Sequence, residues 1–335
     1  GITGKVWHKA RNLALSVFKG IPTKVSYSAP QVYLEFLGML ARRENVDIVL
    51  ASYWYLYRLP EYIDASKLVL ITHDLDFIVN SRRRRFISNP FSKLKLAIDA
   101  GRLERIEKKA YKDFKAILTV TPLDAEVLKR YPFVKGKLIE PLPLALDLGE
   151  FDPSLYRRDR NRVLFLGTFY SDFNRDAFYF FNNEVFPSIL KEVPSAKVDV
   201  VGFGVDERMK REAHESVRFV GGVDDIRPYL GECTVMVLPL RFCGGVRIRM
   251  LEAAAMGTPV VSTSIGVEGL GLEAGVHFIR GDSAKEMADG VVSLLKDPDA
   301  VRRLSESVRA WAEKNISMSD YPERLSRLLQ NLVEI

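Results

Sequence analysis

Cysteine and histidine are scarce in this sequence, with two and four residues among 335. The two cysteines, Cys233 and Cys243, are too few for a disulfide framework or a cysteine-rich metal site, which fits a reducing cytoplasm. No apolar run approaches the roughly 20 residues that a membrane-spanning helix needs. We therefore expect a cytoplasmic protein whose membrane contact, where there is one, is peripheral and on the inner face.

Several motifs of well-known enzyme classes are missing as well. The sequence has no GxxxxGK[ST] segment, which excludes P-loop chemistry. Gly202-Phe203-Gly204 begins like a dinucleotide fingerprint, but Glu207 stands where the third glycine belongs. No Ser, His and Asp set has the context of a nucleophile elbow. Dehydrogenases and triad hydrolases are therefore disfavoured.

The chain begins with Gly1 and not with methionine. Residues 1–20 have the pattern of an amphipathic helix, whereas an α/β domain normally opens with a strand. We therefore expect that an N-terminal piece of the first domain is missing from this sequence.

What is present is an ordinary globular composition, 47% hydrophobic and 27% charged. The length is enough for two domains, each with its own core. The net charge of +6 permits an anionic substrate or an acidic membrane surface without requiring either. We expect no nucleic-acid partner.

Strand and helix patterns alternate along both halves, which predicts mostly parallel sheets with helices on both faces. The predicted strands are 46–52, 67–72, 116–121, 137–142, 162–167, 197–202, 217–221, 235–240, 259–263 and 276–281. The predicted helices include 30–43, 92–112, 175–190, 246–256, 283–296, 299–315 and 320–333.

The predicted fold is therefore α/β, with two doubly wound, Rossmann-like parallel-sheet domains facing a cleft. A first domain over 1–148 and a second over 162–316 are separated by a linker over 149–161, which is rich in Pro, Gly and mixed charge. The C-terminal helix, 317–335, is expected to pack back on the first domain.

The predicted strand–helix–strand unit at 235–263 carries the strongest chemical signal. Its apolar helix has Arg247 and Arg249 in the first turns, directly after Gly244-Gly245. Cations near a helix N-terminus oppose the macrodipole by about 0.3–1 kcal/mol each, so a bound anion such as a phosphate would offset their cost. Glu252 shares a face with Arg249 and suits the sugar hydroxyls beside that phosphate. The alternative is an Arg–Glu pair on the helix surface.

A second group of polar residues follows the strand at 67–72. His73, Asp74 and Asp76 come at its carboxyl end, where ligands of open α/β sheets gather. His73 is either a functional or a structural histidine. Asp74 and Asp76 resemble a pair of magnesium ligands, but Asp76 can equally cap a helix, and we expect no metal.

The densest charge block is Arg82, Arg83, Arg84 and Arg85. A solvated loop is one interpretation of this block. The other is contact with anionic lipid headgroups or with the acceptor, since each basic residue near such a membrane contributes about 1 kcal/mol.

The segment 235–263 resembles the signature PxxxGGxRxKxLEAxAxGxPVVxT of the GT-B glycosyltransferases, and within them of glycosyltransferase family 4 (group 1). The matching residues are Pro239, Gly244, Gly245, Arg247, Arg249 in place of Lys, Leu251, Glu252, Ala253, Ala255, Gly257, Pro259, Val260, Val261 and Thr263. GTFYSDFNRDA, VVGFG, FVGGVDDIRPYL, STSIGVEGL and HDLDF resemble further blocks of that family. The likeness is dense over about 160–300 and thinner before.

The resemblance implies transfer of a sugar from a nucleotide diphosphate sugar to a glycan or lipid-linked acceptor, in polysaccharide or glycolipid biosynthesis. It implies retention of anomeric configuration and no metal cofactor. Arg249 and the amides at Gly244 to Val246 would hold the diphosphate, and Glu252 the ribose. The implied donor-binding residues are Gly167, Asn174, Arg175, Gly202, Gly244, Gly245, Val246, Arg247, Arg249 and Glu252. The implied catalytic residues are His73, Arg249 and Glu252.

One departure from the family pattern keeps other functions open. Many members carry a glutamate at the position of Gly244, eight residues before Glu252. Its replacement is compatible with a nucleotide-sugar-binding partner without catalysis. The fold alone is also compatible with another GT-B enzyme, such as a sugar-nucleotide epimerase.

Overall fold

The computed structural model describes residue 25 and residues 28–86, 90–319 and 321–334. The helix expected over 1–20 lies outside these ranges. The chain forms two compact units. The first comprises the described residues up to Pro143 together with Gly244–Val246 and Glu323 onwards, and the second comprises Leu144–Cys243 and Arg247–Pro322. Each unit contains a parallel sheet, so the prediction of two parallel-sheet α/β units is confirmed.

The first unit is built on a four-stranded parallel sheet in sequential order. Its strands are β1 (Val49–Ser52), β2 (Leu68–Thr72), β3 (Ala116–Thr119) and β4 (Leu138–Pro141). Its helices before the second unit are α1 (Gln31–Arg43), α2 (Asp76–Arg83), α3 (Pro90–Asp113) and α4 (Pro122–Lys129). β3 is buried along its whole length, as near-continuous apolar strands are when both faces of a parallel sheet are covered.

The second unit contains a six-stranded parallel sheet of order β10-β9-β8-β5-β6-β7. Its strands are β5 (Arg162–Leu166), β6 (Lys197–Val201), β7 (Val217–Gly221), β8 (Val235–Leu238), β9 (Val260–Ser262) and β10 (Ile279–Arg280). Its helices are α5 (Asp172–Phe180), α6 (Phe186–Glu192), α7 (Glu207–Glu212), α8 (Arg227–Glu232), α9 (Ile248–Ala255), α10 (Ala284–Lys296) and α11 (Pro298–Asn315). The strand order reverses between β5 and β8, the point where doubly wound sheets bind ligands.

The last helix, α12 (Tyr321–Glu334), belongs to the first unit. Leu332 is fully buried and packs in one cluster with Val69 of β2 and Leu118 of β3. The Lys115 ammonium donates to the Leu332 carbonyl oxygen at 3.0 Å. This helix therefore covers one face of the first sheet. None of the helices in the described ranges is long and apolar enough to cross a bilayer.

Two helix boundaries differ from those predicted from sequence. The helix expected over 175–190 is interrupted by a π-helical turn at Phe181–Val185. Pro187 follows within the first turn of α6; it cannot donate the usual backbone hydrogen bond, and the wider turn accommodates it. The helix expected from Val246 begins at Ile248, because Arg247 has a ψ of 89°, outside the helical range.

Candidate functional site

Arg249, in the first turn of α9, lies at the carboxyl end of the central strand β5. Its guanidinium donates to the carbonyl oxygen of Leu166 and, at 2.7 Å, to Oδ1 of Asn174. Both acceptors are neutral, and among the described residues no carboxylate forms an ion pair with this guanidinium. Burial lowers the pKa of Arg249 to about 10. The second unit thus holds a partly buried positive charge that pairs with no carboxylate of the described residues.

Three predicted site residues surround Arg249. Asn174 is buried and donates to the Thr168 carbonyl oxygen at 2.9 Å, which fixes the amide that accepts from Arg249. A Cβ atom at Gly167 would lie 3.2 Å from an Arg249 nitrogen. Gly202 has a φ of +140°, and a Cβ there would lie 1.8 Å from the Gly167 carbonyl oxygen. The structure therefore brings Gly167, Asn174, Gly202 and Arg249 together, and the backbone can approach a ligand closely here.

Arg247 has a different position from Arg249, although the sequence grouped the two. It is the residue just before α9 and is only 6% exposed. Its guanidinium donates to the carbonyl oxygens of Gly266, at 3.0 Å, and of Glu268. Arg247 thus ties the start of α9 to the loop after β9, and its acceptors, like those of Arg249, are neutral. That the two arginines face a phosphate stays a prediction, and it now concerns Arg249 first, because Arg249 is partly exposed whereas Arg247 is buried.

Glu252 lies one helical turn after Arg249 and is partly buried. Burial raises the pKa of its carboxyl, and the charge of Arg249 acts in the opposite direction. Within the described ranges, its side chain neither forms an ion pair nor accepts a hydrogen bond. The surface Arg–Glu pair considered as the alternative is therefore not formed. Glu252 has both carboxylate oxygens available for hydroxyl donors.

Arg175, also predicted to contact the donor, is paired within the protein. Its guanidinium donates to Asp206 Oδ2 at 2.6 Å, and Asp206 also accepts from the Met209 amide at the start of α7. Arg175 therefore links α5 to α7. Its charge is balanced by a carboxylate, unlike that of Arg249.

In the first unit, His73 follows β2 and is partly buried. Its Nε2 lies 2.8 Å from the Ser52 hydroxyl, and its ring stacks on Tyr53 with a centroid distance of 4.2 Å. Burial lowers the pKa of His73 below its ordinary value, so the neutral imidazole dominates at neutral pH. The glycine turn belongs to this same unit: a Cβ at Gly245 would lie 2.2 Å from the His73 carbonyl oxygen.

Of the two acidic residues that follow His73, Asp76 has a structural role. Asp76 Oδ2 accepts from the Trp54 indole at 2.8 Å, in the first turn of α2. The cap residue of that helix is Leu75, so Asp76 lies in its first turn and is not the cap that the sequence offered as one alternative. Among the described residues no three His, Cys, Asp or Glu side chains are grouped so that they could hold a metal ion.

Sequence reasoning missed Glu107, a fully buried carboxyl on α3. It accepts from the backbone amides of Asp76 at 2.8 Å and Phe77 at 2.9 Å, and from the Tyr111 hydroxyl at 2.8 Å. Burial and the nearby charge of Asp76 raise its pKa well above the ordinary value. The surrounding sequence is so charged that nothing distinguishes Glu107 from its exposed neighbours; only the fold places it under the turn that carries His73.

The arginine block lies at the end of α2. Arg82 and Arg83 are partly exposed, whereas Arg84 and Arg85 are exposed. Three apolar side chains spaced along the start of α3 are exposed too: Phe91, Leu94 and Ile98. Cations and an apolar stripe thus occur on two consecutive elements.

The second unit contains a segment that matches a known family. Residues 160–297 match the family described as Glycosyl transferases group 1. An uncharacterized 44.6 kDa protein in the cps region of Klebsiella pneumoniae is 24% identical over 163 residues, 46% of this chain and 42% of that protein. The poly(glycerol-phosphate) alpha-glucosyltransferase of Bacillus subtilis is 26% identical over 160 residues, 45% of this chain and 24% of that protein. The matched part is thus less than half the length of either curated relative.

Solved structures match over most of the chain. Sucrose-phosphate synthase from Thermosynechococcus elongatus matches with a TM-score of 0.70 at 16% identity, covering 93% of this chain and 80% of that chain. The Anabaena protein HepE, in complex with UDP and glucose, matches with a TM-score of 0.65 at 13% identity, covering 91% of this chain and 82% of that chain. At these identities the likeness establishes the fold, which is the predicted GT-B architecture.

Proposed function

We propose that this chain, which carries a group 1 glycosyl transferase domain in residues 160–297, transfers a sugar from a nucleoside diphosphate sugar to a glycan or lipid-linked acceptor. The observation that carries the proposal is the Arg249 guanidinium, partly buried at the end of β5 next to Asn174 and Gly167, with neutral acceptors among the described residues. A positive charge that is partly removed from water without a carboxylate beside it is costly, and a bound diphosphate would balance it. Bidentate donation to phosphate oxygens also suits a guanidinium better than an ammonium.

In this proposal, Arg249 acts mainly on the leaving group. When the bond from the sugar to the diphosphate breaks, negative charge develops on the departing phosphate. A fixed cation and the amides at the start of α9 stabilise that charge more than they stabilise the intact donor, which lowers the barrier. Since the protein itself supplies this stabilisation, we further propose that the reaction needs no metal. Retention of the anomeric configuration is proposed on a separate ground, the resemblance of residues 235–263 to the family signature.

Glu252 is proposed to hold the nucleotide portion. Its carboxylate oxygens have no protein donor among the described residues, and adjacent ribose hydroxyls supply two donors in a suitable fork. The matching HepE structure is a complex with UDP and glucose, and one curated relative is named an alpha-glucosyltransferase. These two relatives support a nucleoside diphosphate sugar as the donor class.

His73 is proposed to contact the donor sugar or the acceptor as a neutral imidazole. Burial lowers its pKa, so the ring is neutral. A neutral imidazole can donate or accept a hydrogen bond without bringing a positive charge to the ligand. The Ser52 hydroxyl on Nε2 fixes the ring orientation. The family glutamate is replaced by Gly244, so recognition of the donor sugar falls to other groups.

Contact with an anionic membrane surface is the last part of the proposal. The exposed Arg84 and Arg85 are followed by the apolar stripe of α3, in which Phe91 is 83% exposed. Basic residues attract anionic headgroups, and exposed apolar side chains insert at the interface. Such contact would suit a lipid-linked acceptor.

A turnover assay tests the proposed activity directly. The protein is incubated with UDP-, GDP- and ADP-sugars, with and without a mixture of glycosides and lipid extract, and release of free nucleoside diphosphate is measured. We expect release from one nucleotide class, stimulated by acceptor, unchanged by EDTA, and with the product anomer the same as the donor anomer. Binding without release would indicate a non-catalytic partner, and an altered nucleotide sugar formed without acceptor would indicate an epimerase.

A further inference from the structure

Tyr53, the residue directly after β1, has an unusual backbone conformation. Its φ is +74° and its ψ is 136°. Among the described residues, two non-glycine residues have positive φ, and the other is Asn45, a type that tolerates it. For an aromatic residue this conformation is strained, and such strain persists where the surrounding structure enforces it, often at functional sites.

Contacts with β2 and its end hold Tyr53 in place. The Tyr53 amide donates to the Ile71 carbonyl oxygen at 2.9 Å, which continues the pairing of β1 with β2. Its ring stacks on the His73 imidazole at an angle of 23°. The strained backbone thus directs the tyrosine ring toward His73 instead of continuing the alternation of the strand.

Tyr53 is not part of the hydrophobic core. It is 44% exposed, whereas Trp54, the next residue, is 2% exposed and supplies the core contact of this turn. Tyr55 has its ring nearly parallel to that of Tyr53, at 12° and 5.8 Å between centroids. A solvent-facing aromatic group therefore lies at the carboxyl ends of β1 and β2, where ligands of parallel sheets bind.

We propose that Tyr53 is the platform for a pyranose ring of the acceptor, so that the acceptor of this enzyme ends in a sugar. The face of an aromatic ring is electron-rich and attracts the polarised C–H hydrogens on one face of a pyranose. The Ser52–His73 pair beside it offers polar atoms to the sugar hydroxyls at the rim. The inference rests on the proposed function, because it assigns the acceptor side of the same reaction.

Saturation-transfer NMR of the intact protein tests the platform before the natural acceptor is identified. The probes are the methyl pyranosides of glucose, galactose, mannose and N-acetylglucosamine, with glycerol as a polyol that has no ring. The variants are Tyr53→Gly and Tyr53→Phe, with Tyr33→Ala as the control, since Tyr33 on α1 is an equally exposed tyrosine. We expect ring-proton signals from at least one pyranoside, at least fivefold weaker in Tyr53→Gly and retained in Tyr53→Phe and Tyr33→Ala.

The same variants separate a platform from a structural residue. Glycine adopts a φ of +74° without strain, so the melting temperature of Tyr53→Gly is expected to equal or exceed that of the wild type. A protein that is as stable as the wild type and has lost pyranoside contact would support the proposal. A lowered melting temperature, equal pyranoside signals in Tyr53→Gly, or no pyranoside signal from the wild type would overturn it.

Failure of this inference is distinguishable from failure of the proposed activity. If nucleoside diphosphate is released only with acceptors that lack a sugar ring, the platform is wrong and the transferase activity stands. If pyranosides bind through Tyr53 but no nucleotide sugar is turned over, the sugar site stands and the transferase activity is wrong.

Discussion

At the scale of single residues, Arg249 differs from Arg247 in its position and its exposure. Both follow the same glycine turn, and both donate to backbone carbonyl oxygens. Arg247 has acceptors from the loop after β9 around its guanidinium, whereas Arg249 lies at the end of β5 with a lowered pKa. Their sequence context is the same, so sequence could not separate a buried arginine that fastens a loop from a partly exposed one for which a ligand is proposed.

We predict that Arg249→Ala weakens binding of the nucleoside diphosphate by about 1.5–3 kcal/mol, the range for a hydrogen bond to a charged group. This corresponds to roughly 10- to 150-fold in affinity. Calorimetric titration with UDP, GDP and ADP measures the loss, and a melting curve checks that the variant is folded. Arg302→Ala, an exposed arginine of α11, is the matched control and should bind normally. Unchanged affinity in folded Arg249→Ala would contradict the assignment.

At the scale of elements, the start of α2 depends on a residue from α3. The Glu107 carboxyl accepts from the first amides of α2, which have no acceptor within their own helix. Thr72, at the end of β2, donates to the Asp74 carbonyl oxygen at 2.7 Å and lies 3.0 Å from the Tyr111 hydroxyl. The turn that carries His73 is therefore fixed from below by a buried polar network.

We predict that Glu107→Gln lowers the free energy of unfolding by about 1–3 kcal/mol, because a glutamine has only one acceptor oxygen for the two amides. Glu104→Gln, an exposed carboxylate of the same helix paired with Lys108, should cost less than about 0.5 kcal/mol. Urea unfolding of the three proteins measures both differences. An equal effect of the two changes would contradict the role of Glu107.

The difference in the free energy of unfolding between the wild type and Glu107→Gln should depend on pH, because the pKa of Glu107 is raised. Between the unfolded and the folded pKa, the folded state keeps a proton that the unfolded state has released, so stability falls as pH rises. We therefore expect the advantage of the wild type over Glu107→Gln to shrink as pH rises above the ordinary glutamate value. Unfolding measured from about pH 5 to about pH 8 tests this, and a constant difference would show that the carboxyl is ionised throughout.

At the scale of the whole molecule, the proposed membrane contact combines the arginines after α2 with the exposed apolar side chains of α3. We predict that Arg84→Ser with Arg85→Ser lowers partitioning onto anionic liposomes roughly 30-fold, from about 1 kcal/mol per basic residue. Flotation with phosphatidylserine vesicles at low salt measures it. The control is Arg302→Ser with Arg303→Ser, another exposed pair, for which partitioning should change little. Equal partitioning of both double variants would exclude this surface.

The sequence by itself determined the α/β class and the two parallel sheets, and it indicated the family that residues 160–297 match. Apolar runs alternating with helical patterns can be satisfied only by parallel strands covered on both faces, so local pattern and global fold agree. Gly167 and Gly202 were expected from family resemblance, and for Gly202 the structure supplies the physical reason, since a Cβ there would lie 1.8 Å from the Gly167 carbonyl oxygen. The places of Asn174 and Arg249 beside them followed from family resemblance.

Only the tertiary structure decided which polar groups have hydrogen-bond partners within the protein. Arg175 meets Asp206, Arg247 meets the carbonyl oxygens of a distant loop, and Glu107 lies under the start of α2. Each partner comes from another element, some 19 to 31 residues away in the chain. Whether a buried polar group finds a hydrogen-bond partner depends on contacts between elements, and local sequence patterns do not encode those contacts. The stacking of Tyr53 on His73 is likewise a contact between two elements.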